Sequence, residues 1–275
     1  MRSRNLRYLA IVVCLLTWVA FPAHAAWQTL GEVGQSAQTS DGLTLSTASG
    51  AEVRVSFVTP DIVRVRMSPH VPFAVDFSYA VEAGTRPVVK FSVDDAADRT
   101  ELRATNGARV VVQKRPNLLI AVYDAQGRLV VADDPARPMA FDPATGAVET
   151  SKRRSDFELY YGFGEKTMPM SRVEQAIVNW NTDAGNYPPG LDPLYQTIPF
   201  FIALNDGRSY GVFFDNTWRS YFDMGKTDPA RYTFGSAGGE LNYYVFIGGA
   251  ERSPANVLRD YTALTGRGAL PPIWA

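Results

Sequence analysis

The 275-residue chain contains one cysteine and two histidines. Cys14 and His24 both fall in an N-terminal leader, so the remainder has no thiol for a disulfide, a nucleophile or a metal. Only His70 is left as an imidazole, in the Pro-flanked loop Ser68-Pro69-His70-Val71-Pro72, where a solvated role is expected. No nucleophile elbow of the G-x-S-x-G kind is read, so a Ser-His-Asp triad is not expected. There is no Gly-rich phosphate loop, and Gly238-Gly239 reads as a turn. Formal net charge is −1 with no basic patch, which removes the electrostatic basis for nucleic-acid binding. Long apolar runs are also lacking. Leu9 to Phe21, the longest, falls well short of the ~20 residues of a membrane span.

That run fits a secretory leader instead. Arg2, Arg4 and Arg7 precede it, and Ala23-His24-Ala25 is a small-x-small cleavage site. Residues 1–25 are expected to be removed, which takes the formal charge to −1 − 3 = −4. A cysteine-free exported chain suits a bacterial periplasm or the cell exterior, with no membrane association after cleavage.

What is present is strand pattern. Val53, Val55 and Phe57 alternate with polar residues, as do Val63, Val65 and Met67 beyond the turn at Thr59-Pro60-Asp61, which predicts a hairpin. Further strands are expected at Leu43–Thr47, Phe73–Val81, Val88–Val93, Arg99–Ala104, Arg109–Gln113, Leu118–Tyr123 and Leu129–Ala132. Asn106-Gly107 is a hairpin turn. Pro135–Lys152 is looser and reads as surface turns. Strand pattern returns at Asp156–Gly164, Tyr210–Phe214, Tyr221–Asp223, Tyr232–Phe234 and Leu241–Ile247. One helix is expected: Ser253 is an N-cap, Pro254 opens it, Val257, Leu258, Tyr261 and Leu264 form its apolar stripe, and Gly266 stops it. Strands every 8 to 12 residues with a single helix predict an all-β antiparallel sandwich.

The rest is organised around Asn179–Phe201. Trp180–Pro193 reads as a loop rich in Gly, Pro, Asn, Asp and aromatics, and Tyr195–Leu204 as a buried strand behind it. Aromatic faces and amide or carboxylate edges suit a polyhydroxylated ligand, while a plain surface connection is the alternative.

Four segments in order resemble glycoside hydrolase family 31, the α-glucosidase and α-xylosidase family. They are Tyr161-Gly162-Phe163-Gly164-Glu165; Trp180-Asn181-Thr182-Asp183; Asp192-Pro193-Leu194-Tyr195 with Ile198-Pro199-Phe200-Phe201; and Tyr261 with Leu264-Thr265-Gly266-Arg267 and Leu270-Pro271-Pro272-Ile273-Trp274-Ala275. The resemblance implies a galactose-mutarotase-like sandwich over residues 26–250. Residues 251–275 would be a linker helix and the first residues of a truncated catalytic (β/α)8 barrel.

The same resemblance implies a retaining α-glycosidase whose two catalytic carboxylates lie in the barrel. On that reading this chain holds no catalytic residue and needs no metal or cofactor. It contributes substrate-binding Asp183, with Trp180 as a wall, against an α-linked oligosaccharide or glycoside. The barrel of the same polypeptide would be its partner. Glu165 is expected to pair with a nearby arginine. Phe222-Asp223-Met224-Gly225 resembles the family's nucleophile segment only superficially, and Asp223 reads as a turn residue. A stand-alone carbohydrate-binding module and a mutarotase-like epimerase are the competing readings, the second weakened by the single histidine.

Overall fold

A computed structural model describes residues 26–84 and 86–274; the expected leader lies outside them. Antiparallel strands form three sheets. The largest has eight strands, running in spatial order Leu159–Gly162, Phe200–Asn205, Arg208–Phe214, Leu241–Phe246, Ile62–Ser68, Glu52–Thr59, Gly42–Thr47 and Val33–Gln38. A six-stranded sheet contains Val148–Arg153, Arg231–Ser236, Ser220–Asp223 and, at its edge, Ala176–Asn179. A five-stranded meander covers Phe91–Asp95 through Leu129–Ala132.

One core takes side chains from all three sheets. The alternation seen in sequence is what fills it: Val53, Val55, Val63, Val65 and Met67 have no accessible surface. Two hairpins follow their turn chemistry. Gly107 takes φ +96°, and Asp206 and Gly207 take φ +51° and +71°, the left-handed pair that a two-residue hairpin loop demands.

A second, smaller cluster lies on the other face of the eight-stranded sheet, under the helix Pro254–Thr265. The Ser253 hydroxyl accepts from Asn256 N at 3.2 Å, as a cap should. Tyr261 stacks on Phe200, with centroids 3.8 Å apart and planes 10° from parallel. Gly211 lets the helix settle, because a Cβ there would stand 2.6 Å from Val257 Cγ1.

Several expectations need correction. Phe73–Val81 forms no strand, although its alternation is clear. Its backbone has no partner strand; Arg66 instead donates to Ala74 O at 2.7 Å, and Arg64 grips Asp76 at 2.7 and 2.8 Å. Val75, Phe77 and Tyr79 are left exposed. The expected strand Val88–Val93 starts later and is seen as Phe91–Asp95.

Within Pro135–Lys152, read as surface turns, Val148–Arg153 is a buried strand paired along its length with Arg231–Ser236. Its polar composition hides it: Lys152 is 2% exposed and its charge is met by Asp133, with Tyr243 OH 2.6 Å away. Four further strands, Gln28–Thr29, Val33–Gln38, Ala140–Phe141 and Ala176–Asn179, have no counterpart in the sequence pattern read above. The strand expected from Tyr195 begins only at Phe200, because Gln196–Ile198 runs against the bend at Gly164.

Candidate functional site

The loop of residues 180–193 leaves the six-stranded sheet after Asn179, whose strand pairs with Ser220–Asp223. Its base is tied down from several directions. Thr182 N donates to Leu194 O at 3.1 Å, and Leu194 is buried, which closes the neck. The Asn181 carboxamide oxygen accepts from Thr197 N at 3.0 Å and from its hydroxyl at 2.8 Å. Tyr195 OH donates to Ala184 O across the loop. Gly190 N donates to Thr167 Oγ1 at 2.9 Å. Lys166, with no accessible side-chain surface, pairs with Asp192 at 2.5 Å and donates to Val178 O at 2.7 Å.

The segment Gly162-Phe163-Gly164 explains how Lys166 arrives there. All three residues take positive φ, of +138°, +75° and +77°. Phe163 is fully buried in this left-handed conformation, against Phe222 at 4.8 Å and Phe201 at 5.4 Å. A Cβ on Gly164 would lie 2.7 Å from Gln196 O, so only glycine permits the close crossing. The resemblance segment Tyr161–Glu165 is thus a tight bend that sets Glu165 and Lys166 beside the loop.

What the frame leaves outward is polar and aromatic. Trp180, Tyr187 and Tyr195 are exposed, as are Asp183 and Glu165. Tyr187 and Tyr195 meet edge to face at 5.8 Å. Partial desolvation, then the neighbouring Tyr187 and the charges of Asp183 and Glu165, hold the Tyr195 phenol above its ordinary pKa. Asp183, Glu165 and Tyr195 therefore lie in one electrostatic neighbourhood. Among the described residues Glu165 forms no ion pair, so the expected arginine partner is not found.

Trp180 faces elsewhere: it lines a cavity of about 360 Å³ together with Asn179, Asn216 and Trp218, a cavity that Asp183 does not reach. The two expected binding residues therefore address different spaces. Trp218 and Tyr195 are contributions that sequence reading did not single out. An Asn two residues before an exposed Trp, with Gly-Gly downstream, was the available signal for the first.

Two residues are excluded from chemistry. The Asp223 carboxylate accepts from the backbone of Gly225, Lys226 and Thr227 at 2.7 to 3.3 Å, and from the Thr227 hydroxyl, so it closes a turn. The pattern G-x-S-x-G does occur, contrary to expectation, at Gly207-Arg208-Ser209-Tyr210-Gly211. It lies in a hairpin, Ser209 is fully buried, and the strand runs on to no helix, so it is no elbow. Among the described residues no three His, Cys, Asp or Glu side chains are grouped to hold a metal ion.

The comparisons agree with this architecture. The glycosyl hydrolase 31 N-terminal galactose mutarotase-like domain matches residues 52–223. Alpha-glucosidase 2 of Bacillus thermoamyloliquefaciens is 38% identical over 224 residues, 81% of this chain and 27% of that protein. Alpha-xylosidase XylQ of Lactiplantibacillus pentosus is 38% identical over 118 residues, 43% of this chain and 14% of that protein. The Flavobacterium johnsoniae GH31 dextranase complexed with isomaltotriose superimposes with a TM-score of 0.80 at 27% identity, over 90% of this chain and 29% of that one. The chain thus spans about a quarter of the length of the first of these relatives. The match over residues 52–223, on a chain folded as this sandwich, places it in the glycoside hydrolase family 31 N-terminal galactose-mutarotase-like domain family.

Proposed function

We propose that this domain serves a retaining, α-glucosidase-like glycosidase by presenting the 180–193 loop to its substrate cleft. The observation that carries the reading is the pinned loop itself. Its base is fixed by a buried ion pair and backbone bonds, while Asp183 and the tyrosine pair stand outward. A binding group held by a rigid frame contributes more than one that must be ordered on contact.

In this reading Asp183 accepts hydrogen bonds from sugar hydroxyls on the leaving-group side of the scissile bond, while Trp180 lines a neighbouring cavity instead. The chemistry itself needs two carboxylates about 5 Å apart, supplied by a catalytic barrel in the same polypeptide. The domain alone is silent. Relatives named as α-glucosidase and α-xylosidase support an α-linked substrate, as does the dextranase complexed with isomaltotriose. Neither competing reading gains support: a mutarotase-like epimerase has only the exposed His70 to work with, and the family match favours a glycosidase domain over a free-standing module. We also infer export to the periplasm or the exterior, on the composition of residues 1–25.

The test is kinetic, in the complete enzyme. Asp183→Ala should lower kcat/KM for disaccharides by roughly 10- to 150-fold, the cost of a charge-assisted hydrogen bond, and should spare aryl glycosides, which do not fill the leaving-group subsite. Equal losses on both substrates would overturn the assignment.

A further inference from the structure

Trp218 lies on the connection between Arg208–Phe214 and Ser220–Asp223, and its surroundings fix it in place. The Asn216 side chain is spent on this connection. Its oxygen accepts from Trp218 N at 2.7 Å, and its nitrogen lies 2.9 to 3.0 Å from Ser236 Oγ, Gly238 O and Glu240 O. The indole rests on Gly238-Gly239. A Cβ on Gly238 would stand 3.0 Å from Cδ2 and 3.1 Å from Cε3; one on Gly239 would stand 2.9 Å from Cδ1 and 3.2 Å from Nε1. Atoms of both rings are involved, so the indole lies across two glycines on which a Cβ would crowd it. It is nevertheless 56% exposed. One face is packed and the other is open.

Trp218 borders two hollows. On one side is the cavity shared with Trp180, itself 47% exposed. Beside the indoles and Pro199 it is lined by Asn181, Thr197 and Ser220, with the buried Asn179, whose amide oxygen and nitrogen have no partner among the described residues. On the other side is a hollow of about 290 Å³ bordered by Phe77 and Tyr79, by Asp215 and by Asn242. Phe77 and Tyr79 meet edge to face at 4.9 Å, and both are largely exposed. Exposed aromatics thus recur across two adjoining hollows, with hydrogen-bonding edges between them.

We infer that Trp218 is the central stacking platform of an oligosaccharide track running from Trp180 across Trp218 to Tyr79, separate from the contact made by Asp183. The chemistry selects the ligand. A pyranose has one apolar face for an aromatic plane and an equatorial rim of hydroxyls for amides, hydroxyls and carboxylates. An apolar protein segment would leave the Asn179 carboxamide without a partner, at the cost of an unmade hydrogen bond. Because the indole is already immobilised, stacking on it costs little further side-chain entropy. That the glycan is α-linked rests on the function proposed above; the track itself rests on the geometry.

The experiment is direct titration of this chain with maltoheptaose and with an isomalto-oligosaccharide, read by tryptophan fluorescence and calorimetry, with cellohexaose as a β-linked comparison. Saturable binding of at least one α-linked chain is expected. Trp218→Ala should weaken it roughly tenfold or more, as loss of an aromatic anchor does, and Trp218→Phe should recover most of it. If Trp218→Ala does not fold, Trp180→Ala, on the neighbouring wall, carries the same test. Absence of binding by any α-linked chain, or unchanged affinity in Trp218→Ala, overturns the track, and equal binding of cellohexaose overturns the α-linked assignment. Binding lost in Trp218→Ala, together with equal kinetic losses for Asp183→Ala on disaccharide and aryl substrates, keeps the track and removes the loop reading. The reverse pair of results does the opposite.

Discussion

Lys166 Nζ stands 2.5 Å from Asp192 Oδ1 with its side chain wholly out of water. The pair joins the segment after the Gly-Phe-Gly bend to the far end of the 180–193 loop. Asp192 also accepts from Val178 N, so one carboxylate ties three segments together.

Breaking this pair should be costly. Lys166→Met leaves a nearly buried carboxylate without its countercharge, and loss of one partner of a buried pair costs about 3–5 kcal/mol. Chemical denaturation should show that drop, and limited proteolysis should find new cleavage between residues 184 and 190. A loss near zero would mean that the loop is held by its backbone bonds alone.

The bend makes a separate prediction. Gly164→Ala places a Cβ 2.7 Å from Gln196 O at φ +77°, and strain of this kind costs about 1–3 kcal/mol. Gly268→Ala, where nothing lies within 4 Å, is the comparison and should leave the melting temperature unchanged.

Helix seating can be tested by a double variant. Gly211→Ala drives a methyl group toward Val257 Cγ1 and Phe200 Cε2, at 2.6 and 2.9 Å, and should cost about 1–3 kcal/mol as overpacking. Adding Val257→Ala removes the first of those contacts. The two losses should then sum to more than the double variant shows, and strict additivity would refute the contact.

The buried carboxyl of Glu158 predicts a pH effect. Desolvation, against hydroxyl donors such as Tyr160 at 2.9 Å, pushes it above the ordinary glutamate range. The folded state therefore holds this proton to higher pH than the unfolded state does. Its contribution to stability falls as pH rises from the ordinary glutamate value through the raised folded value. Glu158→Gln removes that dependence while keeping an acceptor for Tyr160. Melts of both proteins from about pH 4 to about pH 8 should show the variant gaining relative to wild type as pH rises. A constant difference would rule out the shift.

Much of the fold was legible because its signals are local. The alternation of Val53 to Met67 requires one buried face, Asn106-Gly107 and Asp206-Gly207 require turns, and Ser253-Pro254 opens the helix. Phe73–Val81 misled because alternation says which side chains share a face, while a strand also needs a neighbouring backbone. Val148–Arg153 misled in the opposite sense. Its Glu149 and Lys152 look like surface residues until Arg137 and Asp133 are brought to them from elsewhere in the chain.

The candidate site divides in the same way. The sequence by itself determined that an aromatic, Asn- and Asp-rich loop follows Asn179, that Asp183 and Trp180 belong to it, and that the chain carries the words of family 31. Only the tertiary structure decided that Asp183 and Trp180 face different spaces, and that Trp218 joins Trp180. Those facts depend on contacts between residues far apart in the chain. Lys166 reaches Asp192, Gly164 lies against Gln196, and Gly238-Gly239 lies beneath an indole some twenty positions earlier. Turn chemistry and periodicity are set within a few residues, whereas the closure of these distant pairs is set by the packing of the sheets.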